Sequence, residues 1–82
     1  MIVISVLWDE DDDPAGNVQH IAQHGFTKEE VEYVLFHPEF ITVSRSSGLP
    51  AAMGYTQFGD YVFVPFEDCG EGQVYPHTIF KV

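Results

Sequence analysis

Basic residues are almost absent from this chain. Lys28, Arg45 and Lys81 stand against thirteen Asp and Glu, a formal charge of −10. A nucleic-acid-binding surface draws most of its affinity from Lys and Arg neutralising phosphates. Three scattered cations therefore exclude a strong, general footprint for RNA or DNA. Cysteine is scarcer still: Cys69 alone leaves nothing for an internal disulfide or a thiolate metal cluster. Long hydrophobic runs are missing too. The stretch Met1 to Trp8 falls far short of the roughly 20 residues a membrane-spanning helix needs. It lacks a basic flank and passes straight into acids, unlike a signal peptide, so the expected compartment is the cytoplasm.

What the chain does have is apolar and aromatic material enough for one domain spanning residues 1–82. The organising stretch is Asn17 to His37, two helical patterns with a stop between them. Val18, Ile21 and Ala22 form one apolar stripe, and His24-Gly25 ends it, Gly being the usual residue just past a helix. Thr27 and Glu30 have the spacing of a reciprocal capping box, with Phe26 and Val31 at the staple positions. Val31, Val34 and Leu35 continue inward, and Pro38 closes the second helix at His37.

The remainder reads as strand or turn. Met1 to Trp8 predicts a strand buried on both faces. Asp9 to Asp13 reads as a solvated loop, with Asp13-Pro14 as the start of the first helix. Strands are expected at Glu39–Ser44, Ala51–Gln57 and Tyr61–Phe66, with Gly54 marking a bulge or close approach and Pro65 an edge or bulge. Glu67–Gly72 is expected as a mobile hairpin loop, and Gln73–Val82 as the last strand. The order β-α-α-β-β-β-β predicts an α+β fold: two short helices on a mostly antiparallel, twisted sheet of about five strands.

An ordered set of short motifs runs through nearly the whole chain. It comprises Trp8-Asp9-Glu10, Asn17-x-x-His20-Ile21-x-x-His24-Gly25 and Thr27-x-x-Glu30-Val31-x-x-Val34-Leu35. Gly54-x-Thr56, Gly59-x-Tyr61-x-x-Val64 and Tyr75-Pro76-x-Thr78 complete it. This set resembles the BrnT-type toxins. The resemblance implies a RelE-like fold, metal-independent endoribonuclease activity without a cofactor, and pairing with a cognate antitoxin. The chain departs from the family at its basic positions. Leu49, Asp60, Tyr75 and Phe80 stand where Arg residues are common, and the basic C-terminal helix of these toxins has no counterpart before Val82.

RNA cleavage of that kind needs a base for the 2′-hydroxyl, an acid for the leaving oxygen and positive charge for the phosphorane. The candidate residues are His20, His24, His77, Tyr75 and Arg45. His20 and His24 are four apart on one helix face; Tyr75 and His77 alternate on one strand face. If the helix pair covers that strand face, His24, Tyr75 and His77 form one cluster. Plainer roles stand beside these. His24 suits the last carbonyls of the first helix, and His37 its own helix end. Trp8 and the rings of Tyr61–Phe66 suit a core. The His20–His24 spacing would suit zinc, but without an H-E-x-x-H motif no metal is assigned. Cys69, in an acidic loop, is disfavoured as a thiolate.

Two functions from different classes are therefore expected, with a metal-binding or small-molecule domain as a third, weaker reading. One is a toxin-like protein of a toxin–antitoxin system, with RNA cleavage weakened or lost and RNA held weakly if at all. The other is a non-catalytic scaffold of the same kind. It would bind a basic protein, or associate with itself through an edge strand.

Overall fold

The reciprocal capping box predicted at Thr27 is present in the computed structural model, which describes residues 1–82. The Thr27 hydroxyl accepts from the Glu30 N–H at 3.3 Å, and the Glu30 carboxylate accepts from the Thr27 N–H at 3.1 Å. This box opens α2 (Lys28–Phe36), and His37 ends it, its ring bonded back to the Tyr33 carbonyl. The shorter α1 (Asn17–Gln23) stops at Gly25, which takes a positive φ of 87°. Two helices and six strands make up the fold: β1 (Ser5–Val6), then α1 and α2, β2 (Phe40–Val43), β3 (Pro50–Tyr55), β4 (Tyr61–Gly70), β5 (Gln73–Pro76) and β6 (Phe80–Lys81). This is an α+β architecture on a mixed, mostly antiparallel sheet ordered β1-β5-β4-β3-β2, with β6 also on β4.

The core lies between the helices and one face of the sheet. Ile21 of α1 and Val31, Val34 and Leu35 of α2 pack on Ala52, Val62, Val64, Phe66 and Val74. Because side chains alternate along a strand, the even-numbered residues of β4 form this inner face and the odd-numbered ones point away. Gly54 belongs to a close approach: a Cβ there would stand 3.3 Å from the Glu39 backbone nitrogen. No helix is long and apolar enough to cross a membrane.

Several expectations change. Met1–Trp8 is not a strand buried on both faces. Only Ser5–Val6 pairs, in parallel with Gln73–Val74 at the end of the sheet, while Ile2 and Ile4 stay 83% and 70% exposed. The apolar run satisfies one ladder and has nothing to cover its second side. The first helix begins at Gly16, not at Asp13-Pro14, because the loop folds so that Asp9 meets the helix start. Of the stripe Val18, Ile21 and Ala22, only Ile21 is buried. Glu67–Gly70 is strand rather than mobile loop. The reversal is confined to Glu71 and Gly72, whose φ values of 57° and 78° fit the primed turns that match strand twist.

The final strand is split. Phe66 faces Pro76 and Phe63 faces Phe80, so three residues, His77 to Ile79, oppose two, Val64 and Pro65. This bulge stands where Pro65 has no N–H to donate. The one bond available there runs from the His77 N–H to the Pro65 carbonyl, 2.9 Å.

Candidate functional site

The bulge decides where the candidate residues go. On the helix side it presents Thr78 and the Ile79 carbonyl to α1. His20 Nε2 lies 3.0 Å from the Thr78 hydroxyl, and His24 Nδ1 lies 2.8 Å from the Ile79 carbonyl oxygen. A carbonyl can only accept, so Nδ1 of His24 carries a proton and Nε2 stands outside that bond. The two imidazoles meet, with centroids 4.7 Å apart. His24 thus ties α1 to the sheet, and its ring does not turn back to the helix carbonyls as the capping role required.

On the opposite face of the sheet lie Tyr75 and His77. Their neighbours Val74 and Pro76 point into the core, so the helix pair does not cover Tyr75 and His77. The sheet divides the anticipated His24–Tyr75–His77 cluster, leaving His24 beside His20 on one side and Tyr75 beside His77 on the other. His77 stands edge-on to the Tyr75 ring at 5.3 Å and within 3.4 Å of the Glu67 carboxylate. The Tyr75 hydroxyl donates to Asp9. That hydrogen bond, reinforced by burial and by the nearby acids, pushes the Tyr75 phenol up to about 12. The same bond, with that from the Asn17 N–H, holds the Asp9 carboxyl below its usual range. A phenol so committed is a poor proton donor at neutral pH.

Asp9 and Asn17 form the centre of this knot. The Asp9 N–H donates to Asn17 Oδ1 and the Asn17 N–H to Asp9 Oδ2, both at 2.9 Å. The buried Asn17 amide donates further to the carbonyls of Leu7 and Pro76. One side chain therefore joins the end of the first strand, the helix start and β5. The sequence motifs contain both residues, but no local pattern shows that they bond each other.

Arg45 stands apart from the His20–His24 and Tyr75–His77 pairs, on the turn between β2 and β3. It lines an open groove of about 450 Å³ with Thr42, Ser46, Met53, Phe63 and Phe80 among its neighbours. Met53, Phe63 and Phe80 belong to a row that sequence reading missed. Phe40 faces Met53, Met53 faces Phe63 and Phe63 faces Phe80, four large apolar side chains in register across β2, β3, β4 and β6. Tyr55 and Tyr61 form the next rung, ring centroids 4.7 Å apart. The period-two spacing of these residues was legible; which face the helices cover was not.

No protein-family model, curated protein or solved structure matches this chain.

The helices leave the outer face of the sheet open. Phe40 and Phe80 remain 50% and 43% exposed. Acids rim it: Glu39 beside Tyr61, Asp60 paired with Lys81, and Glu67 beside His77. Burial first, and the Glu39 carboxylate second, raise the Tyr61 phenol above its ordinary range. Nowhere do three or more His, Cys, Asp or Glu side chains converge as metal ligands.

Proposed function

We propose that this chain is a toxin-like scaffold whose work is protein binding, with RNA cleavage weakened or lost. The observation that carries the reading is the open sheet face, an apolar and aromatic row inside a rim of acids. A contiguous exposed apolar surface with a polar rim is the usual mark of a protein interface. With thirteen acids against three bases, electrostatic complementarity selects a basic partner. The class of partner that the BrnT-type resemblance brings, a cognate antitoxin, fits if it is basic where it meets this face.

The test is calorimetric titration with the product of the adjacent reading frame. Binding that weakens as salt rises, and falls at least about tenfold in a Phe40→Ser/Phe80→Ser variant, is the expected result. Binding untouched by the two substitutions would place the interface elsewhere.

Ribonuclease action is the second reading, favoured by the His20–His24 ring pair and the His24 Nε2 that stands outside the carbonyl bond. Induced expression in a bacterial host separates the two. Growth should be normal with the wild type and with a His20/His24/His77 triple Ala variant. Arrest by the wild type, relieved in the variant, would favour catalysis.

A further inference from the structure

Among the three cations, Lys28 is paired with Asp11 and Lys81 with Asp60. Arg45 makes no ion pair, and its guanidinium takes part in none of the side-chain hydrogen bonds or ring contacts. It is also the only charged residue lining the groove, although acids outnumber bases thirteen to three in the chain as a whole. Beneath it the groove offers a floor of Met53, Phe63 and Phe80, with the two phenyl rings 5.2 Å apart. Thr42, Ser44 and Ser46 also line the groove, the hydroxyls of the two serines bonded to each other.

A guanidinium presents a planar fork that matches a carboxylate bidentately. Phenyl rings and a thioether favour a flat, polarisable body against them. The groove volume of about 450 Å³ lies in the range of small-molecule sites. Net charge does not separate anions, because attraction to Arg45 and repulsion from the acids both scale with the ligand's charge. The apolar lining of Met53, Phe63 and Phe80 favours a ligand whose one anionic group is carried on a ring. We propose that the groove binds a small aromatic carboxylate, its carboxylate on Arg45 and its ring over Met53, Phe63 and Phe80. The groove shares Met53, Phe63 and Phe80 with the face assigned above to a protein partner, so the two occupants would compete; the test below uses the chain alone and does not rest on that reading.

Arg45 lies on an exposed turn whose closure rests on other groups, with the Ser44 N–H donating to the Leu49 carbonyl and the Gly48 N–H to the Ser44 carbonyl. Its substitution therefore leaves the fold in place. The experiment is an NMR titration of the whole chain with naphthoate, alongside its neutral alcohol counterpart and adenosine monophosphate. Saturable naphthoate binding is expected, with shifts centred on residues 42–46, Met53, Phe63 and Phe80. Arg45→Ala should weaken it about tenfold, the loss of one charge-assisted contact, and Lys28→Ala should leave it unchanged. The neutral alcohol should bind at least about tenfold more weakly than the acid. Equal binding of acid and alcohol, or unchanged affinity in Arg45→Ala, would overturn the proposal. So would shifts lying elsewhere on the chain, or adenosine monophosphate binding more tightly than naphthoate.

Discussion

Asn17 attaches α1 to the sheet through a polar side chain, beside the one buried apolar residue of α1, Ile21. The Asn17 amide bonds Leu7 and Pro76, and its carbonyl oxygen holds the Asp9 N–H; the bond to Pro76 is buried and the other two are partly so. Asn17→Ala leaves those partners unpaired, so a loss of about 2–4 kcal/mol is expected in urea unfolding. Gly16 is constrained by the same knot. A Cβ there would lie 2.7 Å from the Asp9 Cβ, and Gly16→Ala should cost about 1–3 kcal/mol by the same measurement. Tyr75 gives the knot a pH signature. Asp9 titrates below its usual range when folded, so its contribution is whole above about pH 4 and is lost as pH falls through the depressed value. Tyr75 titrates higher when folded, so its contribution is whole below about pH 10 and is lost as pH rises towards about 12. In Tyr75→Phe the acid unfolding midpoint should move to higher pH, and the alkaline loss assigned to Tyr75 should disappear. Circular dichroism across a pH series reads both.

At the scale of elements, legibility followed the range of the interactions. The capping box of α2 and the stop at Gly25 rest on residues a few positions apart, and both stand as the sequence reads; at Gly54 the sequence offered a bulge or a close approach, and the partner, the backbone of residues 37–39, lies about fifteen positions away. Asp9 capping α1 from eight residues away left no such mark, so the helix start was placed at Asp13-Pro14. The bulge was half legible: Pro65 announced a break in the ladder, but not that the partner strand would absorb it at His77–Ile79. That break sends Thr78 to α1 and leaves His77 on the far side, separating a candidate site that strand alternation alone had drawn together. Removing the tie in His24→Ala should destabilise by about 1 kcal/mol, the typical worth of one hydrogen bond, by chemical denaturation. Thr27→Ala should cost a similar amount, about 1 kcal/mol, through the lost cap.

For the whole molecule, charge and size set the response to salt. The fold measures 31 × 29 × 25 Å. At about 10 mM salt the screening length is roughly 30 Å, so nearly every acid is felt by every other; at about 150 mM it is roughly 8 Å. A compact state carrying −10 therefore gains stability as salt rises. The thermal midpoint should climb by several degrees between those concentrations, with sodium chloride sufficient to produce it. A flat or falling midpoint would mean the acids are already locally compensated.

The parallel pairing of β1 with β5 bears on how the chain is made. Ser5 waits for Gln73, its partner 68 positions further along the chain. Ribosomal synthesis delivers residues in order, at about 5–20 each second. The apolar opening Met1–Trp8 therefore emerges several seconds before its ladder exists. Loop closure over so long a separation also makes this pairing entropically late. The helices and the β2–β4 meander can assemble first, leaving the opening segment as the last piece seated. During that interval the nascent chain displays an uncharged, β-branched segment to its neighbours on the polysome, and the acids that follow it from Asp9 act as its gatekeepers.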